Sequence, residues 1–201
     1  MPQLILARHG ESTYNRDGLF TGWIDAPLTK RGIAEAKAIA AKLAGFRIDK
    51  AYTSRLSRAI QSVEIVLAEL HVSDVEVIKN EALNERRYGD LQGLNKEETA
   101  NKYGEKQTML WRRSYDIAPP NGESLHDAAM RVLPYVHSTI MMDIKDGLNV
   151  LVVAHGNSLR AIVKEIDRLS NDEVARLSIE TGQVIVYTYE NNVTVVSKNI
   201  L

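Results

Sequence analysis

The sequence predicts an α/β fold in which helices cover a central sheet, and three observations lead to this prediction. Apolar runs with strand spacing and with helix spacing alternate along the 201 residues, beginning in the order βαβαβ. Two runs, residues 4–7 and 150–154, are continuously apolar, which is typical of strands buried on both faces of a parallel sheet. A histidine, His9 or His155, stands at the end of each run and precedes a glycine. Because open α/β sheets bind ligands at such strand ends, the two histidines predict one site built from both ends of the chain.

The first half of the chain is expected to contain three strands and two long helices. The strands are predicted at residues 3–8, 51–53 and 75–78, and a polar loop is expected after the first of them. The helices are predicted from the cap residue Thr29 to about residue 43 and over residues 56–70. Their spacing places the following side chains on the buried face of the first helix: Ile33, Ala36, Ile39, Ala40 and Leu43.

Residues 80–123 lose this periodicity and accumulate polar residues, which is typical of functional loops, although short helices are possible at 96–103 and 107–115. Ser124 begins a helix that extends to about residue 142 and that Pro134 should kink. The remaining elements are a strand at 150–154, helices at 158–169 and after Ser170, and strands at 184–189 and 193–196 joined near Asn191 and Asn192.

Composition narrows the class of protein. The chain carries no linker-like segment, so residues 1–201 are predicted to form a single domain. It contains no cysteine, which excludes disulfides, thiolate metal sites and a cysteine nucleophile. With 25 Lys and Arg against 26 Asp and Glu, it has no general basic field for nucleic acid. Neither a signal peptide nor a membrane span is recognisable, and a soluble cytoplasmic protein is expected, with no membrane partner.

The candidate chemistry is phosphoryl transfer by a histidine. The five histidines show no metal-binding spacing, and no nucleotide-binding fingerprint is present, so neither a metal nor a nucleotide cofactor is expected. A neutral imidazole held at one ring nitrogen can accept a phosphoryl group at the other, with arginines on the phosphoryl oxygens. Arg8, His9 and Arg58 suit these roles. Taken alone, His9 could equally be a structural histidine at a strand end, and the basic clusters could be solvated surface.

The segment Arg8-His9-Gly10-Glu11-Ser12 resembles the signature of the histidine phosphatase superfamily. The chain is similar in particular to the cofactor-dependent phosphoglycerate mutases within it, from residue 4 to about residue 190. Further segments carry the resemblance in order: Phe20-Thr21-Gly22-Trp23, Tyr52-Thr53-Ser54, Arg58-Ala59-Ile60, Leu83-Asn84-Glu85-Arg86, Tyr88-Gly89, Leu91-Gln92-Gly93-Leu94-Asn95-Lys96, Trp111-Arg112-Arg113 and Ala154-His155-Gly156-Asn157-Ser158-Leu159-Arg160.

This resemblance implies a fold, a reaction and a set of site residues. The fold would have three layers, with a mostly parallel central sheet flanked by helices. The reaction would be the interconversion of 3-phosphoglycerate and 2-phosphoglycerate in glycolysis and gluconeogenesis, primed by 2,3-bisphosphoglycerate. His9 would be the nucleophile, Glu85 the general acid and base, and His155 a charged partner of His9. The implied catalytic residues are His9, Glu85, His155, Arg8 and Arg58. The implied substrate-binding residues are Gly10, Ser12, Asn15, Thr21, Gly22, Arg86, Arg87, Tyr88, Lys96, Arg112, Arg113, Gly156 and Asn157.

Departures from the family pattern leave alternatives open. Arg87 stands where a histidine is common, the segment after Pro120 is short, and no lysine-bearing tail follows Leu201, which predicts faster loss of the bisphosphorylated intermediate. A homodimer or another homo-oligomer is expected. The alternatives within the superfamily are a broad phosphatase and a bisphosphoglycerate synthase or phosphatase. The alternatives outside it are a module that only binds a phosphorylated ligand, and a nucleic-acid binder that uses Arg112 and Arg113.

Overall fold

The computed structural model describes residues 1–72, 74–191 and 193–201, and its central feature is a sheet of six strands. The strands are β1 (Gln3–Arg8), β2 (Lys50–Thr53), β3 (Glu76–Lys79), β4 (Val150–Ala154), β5 (Val184–Glu190) and β6 (Thr194–Ile200).

The strand order is β3-β2-β4-β1-β5-β6, and the first four strands are parallel. Strand β5 runs antiparallel to β1, and β6 runs antiparallel to β5, so the prediction of a mostly parallel sheet is confirmed. In the register of the sheet, Arg8 lies beside Ala154 and Thr53 beside Val153. The residues that follow β2, β4 and β1 therefore meet at the carboxyl edge of the sheet.

Helices occupy the connections between the strands. They are α1 (Thr13–Arg16), α2 (Lys30–Lys42), α3 (Ser57–Glu69), α4 (Lys96–Tyr103), α5 (Glu105–Arg113), α6 (Leu125–Tyr135), α7 (Met141–Lys145), α8 (Gly156–Asp167) and α9 (Asn171–Arg176). Short 3₁₀ turns span Glu81–Leu83 and Gly89–Leu91, and a π-helical turn spans Val136–Ile140.

The helices form a layer on each face of the sheet, which confirms the predicted three-layer fold. Because side chains alternate along a strand, Leu4 and Leu6 belong to the hydrophobic cluster shared with α6 and α8. Ile5 and Ala7 belong to the opposite cluster, which is shared with α2 and α3. The central strands β1 and β4 are thus buried on both sides, as their continuous apolar runs indicate.

One side chain of α2 differs from the prediction. Ile33 is 41% exposed, although the helical period placed it on the buried face. The adjacent Gly32 makes the close contact instead, since a Cβ built on it would lie 2.1 Å from the carbonyl oxygen of Glu11. Because the backbones of Gly32 and Glu11 approach each other so closely, the neighbouring side chain of Ile33 faces solvent.

Several element boundaries also differ from the prediction. Residues 13–16 form a helical turn rather than a polar loop, because Ser12 and Asn15 make a reciprocal capping box. Helix α8 begins at residue 156, directly after β4, and β6 continues to residue 200. After Pro134 the helix continues through the π-helical turn. Of the predicted turn near residue 191, Asn192 lies outside the described residues.

Within the described part of the chain, no helix is both long and apolar enough to cross a lipid bilayer. The same residues contain no group of three or more histidine, aspartate or glutamate side chains arranged to hold a metal ion.

Candidate active site

His9 follows β1 directly and is almost completely buried. Its Nδ1 atom lies 2.6 Å from the carbonyl oxygen of Gly10. Because a carbonyl can only accept a hydrogen bond, Nδ1 carries the proton and Nε2 keeps its lone pair. Burial lowers the pKa of His9 well below its ordinary value, and the charges of Arg58 and Arg8 lower it further. The ring is therefore neutral, with Nε2 available as a nucleophile.

His155 follows β4 and packs edge-on against His9, with ring centroids 4.9 Å apart. Its Nε2 atom lies 2.7 Å from the hydroxyl of Ser54, and its buried Nδ1 atom makes no hydrogen bond to any of the residues that the structure describes. Burial lowers the pKa of His155 well below its ordinary value, followed by the charge of Arg58. Burial therefore favours a neutral His155 in the unliganded site, whereas the resemblance implied a charged partner of His9.

Two arginines place positive charge beside these rings. The Nη1 atom of Arg8 donates to the carbonyl of Ile179 at 2.6 Å, while its buried Nε has no partner within the described part of the chain. The two terminal nitrogens of Arg58 donate to the carbonyls of Ile24 and Gly22, at 3.1 and 2.8 Å. Burial lowers the pKa of Arg58 to about 10, so its guanidinium stays charged at neutral pH.

Glu85 is 8% exposed and has a fixed orientation. One carboxylate oxygen accepts hydrogen bonds from the backbone N–H of Arg86 at 2.7 Å and from that of Asn157 at 3.2 Å. Its backbone carbonyl accepts a hydrogen bond from the indole of Trp23 at 2.6 Å. Since Asn157 lies in the first turn of α8, that carboxylate oxygen is held at the N-terminus of the helix.

These groups surround a cavity of about 160 Å³ at the carboxyl edge of the sheet. Most of the predicted site residues line it: Arg8, His9, Asn15, Thr21, Gly22, Arg58, Glu85, Tyr88, Lys96, Arg112, Arg113, Gly156 and Asn157. His155 lies beside His9 but is not among the lining residues.

A second basic cluster, Lys96, Arg112 and Arg113, also lines the cavity. Lys96 is the first residue of α4, and the two arginines end α5. Burial lowers the pKa of Lys96. Arg113 donates to the carbonyl of Leu177 at 3.3 Å. The cavity wall thus contains cations from α4 and α5 in addition to Arg8 and Arg58.

Hydrogen bonds to neighbouring residues orient two further polar side chains of the cavity wall, Asn15 and Tyr88. The side-chain oxygen of Asn15 accepts hydrogen bonds from the backbone and the hydroxyl of Ser12, at 3.1 and 3.0 Å, so a ligand in the cavity would meet its amide NH₂ as a donor. The hydroxyl of Tyr88 accepts a hydrogen bond from the side-chain amide of Asn157 at 3.2 Å. Both contacts determine which polar atoms face the cavity.

Two glycines near the site are required, Gly22 by its positive φ and Gly10 by a close approach of two backbones. Gly22 has a φ of +55°, and a Cβ there would lie 2.2 Å from the side-chain oxygen of Gln92. A Cβ on Gly10 would lie 2.1 Å from the carbonyl oxygen of Gly32. Any larger residue would push the loop that carries the site away from its support.

Four predicted substrate-binding residues are not on the cavity wall: Gly10, Ser12, Arg86 and Arg87. Arg86 is fully buried and donates to the carbonyls of Trp111 and Arg112, at 2.8 and 3.2 Å, so it supports the second basic cluster. The guanidinium of Arg87 lies 3.9 Å from the centre of the Trp23 ring and stacks on it. The structure gives all four a supporting position.

The cavity is also lined by residues that sequence reasoning did not single out: Leu19, Phe20, Arg160, Ser178 and Ile179. Phe20 and Arg160 belong to segments that carry the family resemblance, so a signal for them existed. Ser178 and Ile179 lie in a segment without any motif. They reach the cavity because the carbonyl of Ile179 accepts a hydrogen bond from Arg8.

Comparison with known proteins agrees with this geometry. The family model of the histidine phosphatase superfamily (branch 1) matches residues 4–200. A Parvibaculum lavamentivorans protein named 2,3-bisphosphoglycerate-dependent phosphoglycerate mutase is 52% identical over 100% of this chain and 97% of its own. A Schizosaccharomyces pombe phosphoglycerate mutase is 50% identical over 98% of this chain and 95% of its own.

Among solved structures, Bacillus stearothermophilus YhfR superposes with a TM-score of 0.83 at 26% identity, covering 96% of this chain and 93% of its own. A mycobacterial glucosyl-3-phosphoglycerate phosphatase has the same fold, with a TM-score of 0.83 at 24% identity over 94% of this chain and 93% of its own. The match of the family model over almost the whole chain, together with relatives that are half identical, establishes that this chain belongs to the histidine phosphatase superfamily.

Proposed function

We propose that this protein interconverts 3-phosphoglycerate and 2-phosphoglycerate through a phosphohistidine on His9. The observation that carries this proposal is that one small cavity is lined both by cations beside His9 and by further cations from helices α4 and α5. Arg8 and Arg58 lie beside His9, and the second basic cluster lines the same cavity. Relatives that are about half identical are named phosphoglycerate mutases, which supports the same reaction.

His9 would transfer the phosphoryl group between the two oxygens of glycerate. With His9 phosphorylated, the 2-hydroxyl of 3-phosphoglycerate attacks phosphorus, the P–N bond breaks, and Glu85 takes the hydroxyl proton. After the bisphosphorylated intermediate reorients, Nε2 of His9 attacks the phosphorus on O3. The P–O3 bond breaks, Glu85 returns the proton to O3, and 2-phosphoglycerate leaves. The catalysis consists largely of positioning and charge stabilisation by the arginines.

The residues at the strand ends fit a phosphoryl group. Two buried nitrogens, Nε of Arg8 and Nδ1 of His155, have no hydrogen-bond partner among the described residues. A buried polar group without a partner is costly, so an anion that accepts from both would be stabilised. When bound, 2,3-bisphosphoglycerate supplies the phosphoryl group that primes His9.

The size of the cavity favours a small substrate. At about 160 Å³, it is comparable to an apolar cavity of about 150 Å³ that holds one benzene molecule. A three-carbon acid with its phosphate fits such a space at an open mouth, whereas a substrate with an added sugar would have to extend into solvent. Lys96 and Arg112 would hold the end of the substrate that is not reacting.

The second basic cluster also separates a mutase from a plain phosphatase. Hydrolysis requires one phosphoryl site and a water molecule, whereas isomerisation requires that the intermediate be retained while it reorients. Cations at two positions provide this retention, because either phosphate of the intermediate can occupy either position.

The test is an assay of 3-phosphoglycerate isomerisation and of phosphate release, with and without added 2,3-bisphosphoglycerate. We expect isomerisation that the bisphosphate stimulates and that His9→Ala abolishes. Phosphate release without isomerisation would contradict a mutase and indicate a phosphatase. Isomerisation that persists in His9→Ala would contradict the phosphohistidine.

A matched pair of variants on α4 tests the second basic cluster. We expect Lys96→Gln to raise the KM for 3-phosphoglycerate and to increase phosphate release relative to isomerisation. Lys102→Gln, at an exposed position of the same helix, should change neither quantity. Equal behaviour of the two variants would remove Lys96 from the proposed substrate site.

The proposed reaction belongs to central carbon metabolism, so we propose a cytoplasmic location. The expected homo-oligomer stays a prediction, and sedimentation of the purified protein measures it.

A further inference from the structure

We propose that Ser54 holds His155 in a single neutral tautomer, so that the ring donates a hydrogen bond from Nδ1 to the transferring phosphoryl group. The inference deepens the proposed function and rests on it, because it assigns a partner to the phosphoryl site. Ser54 is a positioning residue here, since it would act through His155.

The sheet places the serine beside the histidine. Ser54, His155 and His9 follow strands β2, β4 and β1, which are neighbours in that order. Ser54 and His155 are both fully buried, and the Oγ–Nε2 distance between them is 2.7 Å. His155 therefore has the serine on one side and the ring of His9 on the other.

The number of available protons determines the direction of this hydrogen bond. The hydroxyl oxygen of Ser54 already accepts from the backbone N–H of Leu56 at 3.1 Å. The single hydroxyl proton of Ser54 also needs an acceptor. Within residues 1–72, 74–191 and 193–201, the acceptor that it reaches is Nε2 of His155. Nε2 therefore carries the lone pair, and the ring proton of His155 lies on Nδ1.

The opposite tautomer would leave the hydroxyl proton of Ser54 unsatisfied. If Nε2 of His155 donated to Ser54, that buried proton would have no acceptor among the described residues. A bare Nδ1 would also repel a phosphoryl oxygen. With the proton on Nδ1, one donor is unpaired, and that donor is what an incoming anion requires.

His9 and His155 would then share a tautomer and use it in opposite ways. Nδ1 of His9 donates to Gly10, which leaves a bare Nε2 for attack. Nε2 of His155 accepts from Ser54, which leaves Nδ1–H for donation. A neutral ring is consistent with the lowered pKa of His155, which follows from its burial.

The test is nitrogen NMR of the protein labelled with ¹⁵N-histidine, without substrate at neutral pH. The signals that disappear in His155→Gln identify this residue. We expect a protonated Nδ1 and a bare Nε2 in the unaltered protein and in Ser54→Thr, which keeps the hydroxyl. Ser54→Ala should show tautomer exchange or a protonated Nε2. Ser124→Ala, at another buried serine, should leave the His155 signals unchanged.

Activity provides a second readout on the same variants. We expect Ser54→Ala to lower kcat by about 10- to 100-fold, the range seen when the outer partner of a metal-bound histidine is removed, and Ser54→Thr to restore most of it. Thermal unfolding verifies that each variant is folded. If Ser54→Ala does not fold, the His155 signals of the unaltered protein and of Ser54→Thr test the tautomer assignment instead.

A His155 ring with its proton on Nε2 in the unaltered protein, or protonated on both nitrogens, would overturn the inference. Unchanged His155 signals in a folded Ser54→Ala would overturn it as well. The NMR measurement requires no turnover, so it is independent of the reaction. A protein that only releases phosphate would refute the proposed function and leave the tautomer assignment in place.

Discussion

At the scale of single residues, burial decides the charge of the histidines at the strand ends. His9 and His155 have almost no contact with solvent and lie beside Arg58, and both effects oppose protonation. A neutral His9 can attack phosphorus, whereas a protonated one cannot. In the proposed reaction the arginines therefore serve twice, because they would bind the phosphoryl oxygens and they also keep the nucleophile in its reactive form.

This arrangement predicts a loss of stability at mildly acidic pH. Below about pH 6.5 the unfolded chain binds protons at His9 and His155, whereas the folded protein does not, so the free energy of unfolding falls as the pH falls. The slope reaches up to about 2.7 kcal/mol per pH unit for the pair. Urea denaturation between pH 5 and 6.5, in a buffer without phosphate, measures it.

The double variant His9→Asn, His155→Asn isolates this contribution from that of the carboxylates. We expect it to lose most of the slope, while His137→Gln, at an exposed histidine near Glu165, keeps it. Equal slopes in the double variant and the unaltered protein would mean that the two histidines take up protons in the folded state.

At the scale of elements, helix α6 supports the loop that carries Glu85. The Nη1 atom of Arg131, on α6, lies 3.1, 2.9 and 3.2 Å from the carbonyl oxygens of Glu81, Ala82 and Asn84. Its Nη2 atom donates to the carbonyl of Glu85 at 3.4 Å. One guanidinium thus binds the whole segment that ends at the proposed general acid and base.

The other side of Arg131 is fixed as well. Its Nη2 pairs with the carboxylate of Glu123 at 3.0 Å, and the same carboxylate accepts from the backbone N–H of Arg87 at 2.9 Å. The guanidinium also lies 5.4 Å from the centre of the Trp23 ring. Trp23 in turn donates to the carbonyl of Glu85. The position of the carboxylate thus depends on this network.

We therefore expect Arg131→Met to lower kcat more than it changes KM, because it loosens Glu85 without removing a cation from the cavity wall. The loss should be about tenfold or more, since a small misplacement of a catalytic group has large effects on rate. Steady-state kinetics measure both constants, and Arg131→Lys should restore part of kcat. Arg31→Met, at an exposed arginine paired with Glu35, serves as the control. An effect of Arg131→Met confined to KM would contradict the positioning role.

Elements governed by local signals were predictable from the sequence. Helix α4 has the predicted bounds of residues 96–103, since Asn95 caps it with hydrogen bonds to two backbone N–H groups. Strands β1 and β4 follow their apolar runs. Most of the residues that line the cavity were predicted from the family resemblance. Composition and periodicity alone could not have shown that these residues lie together.

What could not be predicted depends on contacts between distant segments. Ile33 is exposed because Gly32 packs against the loop after β1. The helical spacing of apolar residues gives no information about that contact. Arg86 and Arg87 carry the same charge as Arg112, yet the fold turns them toward Trp111 and Trp23.

At the scale of the whole molecule, the site joins the two ends of the chain. Strands β1 and β4 are neighbours although almost 150 residues separate them, and the cavity is bounded by segments from residue 8 to residue 179. A ligand in this cavity binds the folded state and not the unfolded chain. Its binding free energy therefore adds to the stability of the entire fold.

The Tm should consequently depend on ligand contacts with both sets of cations, the pair Arg8 and Arg58 and the second basic cluster. A ligand at 100 times its Kd stabilises the folded state by about 2.7 kcal/mol, which corresponds to a rise in Tm of about 5 to 10 °C for a chain of this size. Since 3-phosphoglycerate can contact both sets and inorganic phosphate only one, we expect a larger shift from 3-phosphoglycerate at equal concentration. Arg112→Gln should remove this difference while keeping the shift from phosphate. Equal shifts from both ligands and from chloride at the same ionic strength would mean that the cavity binds no phosphorylated acid specifically.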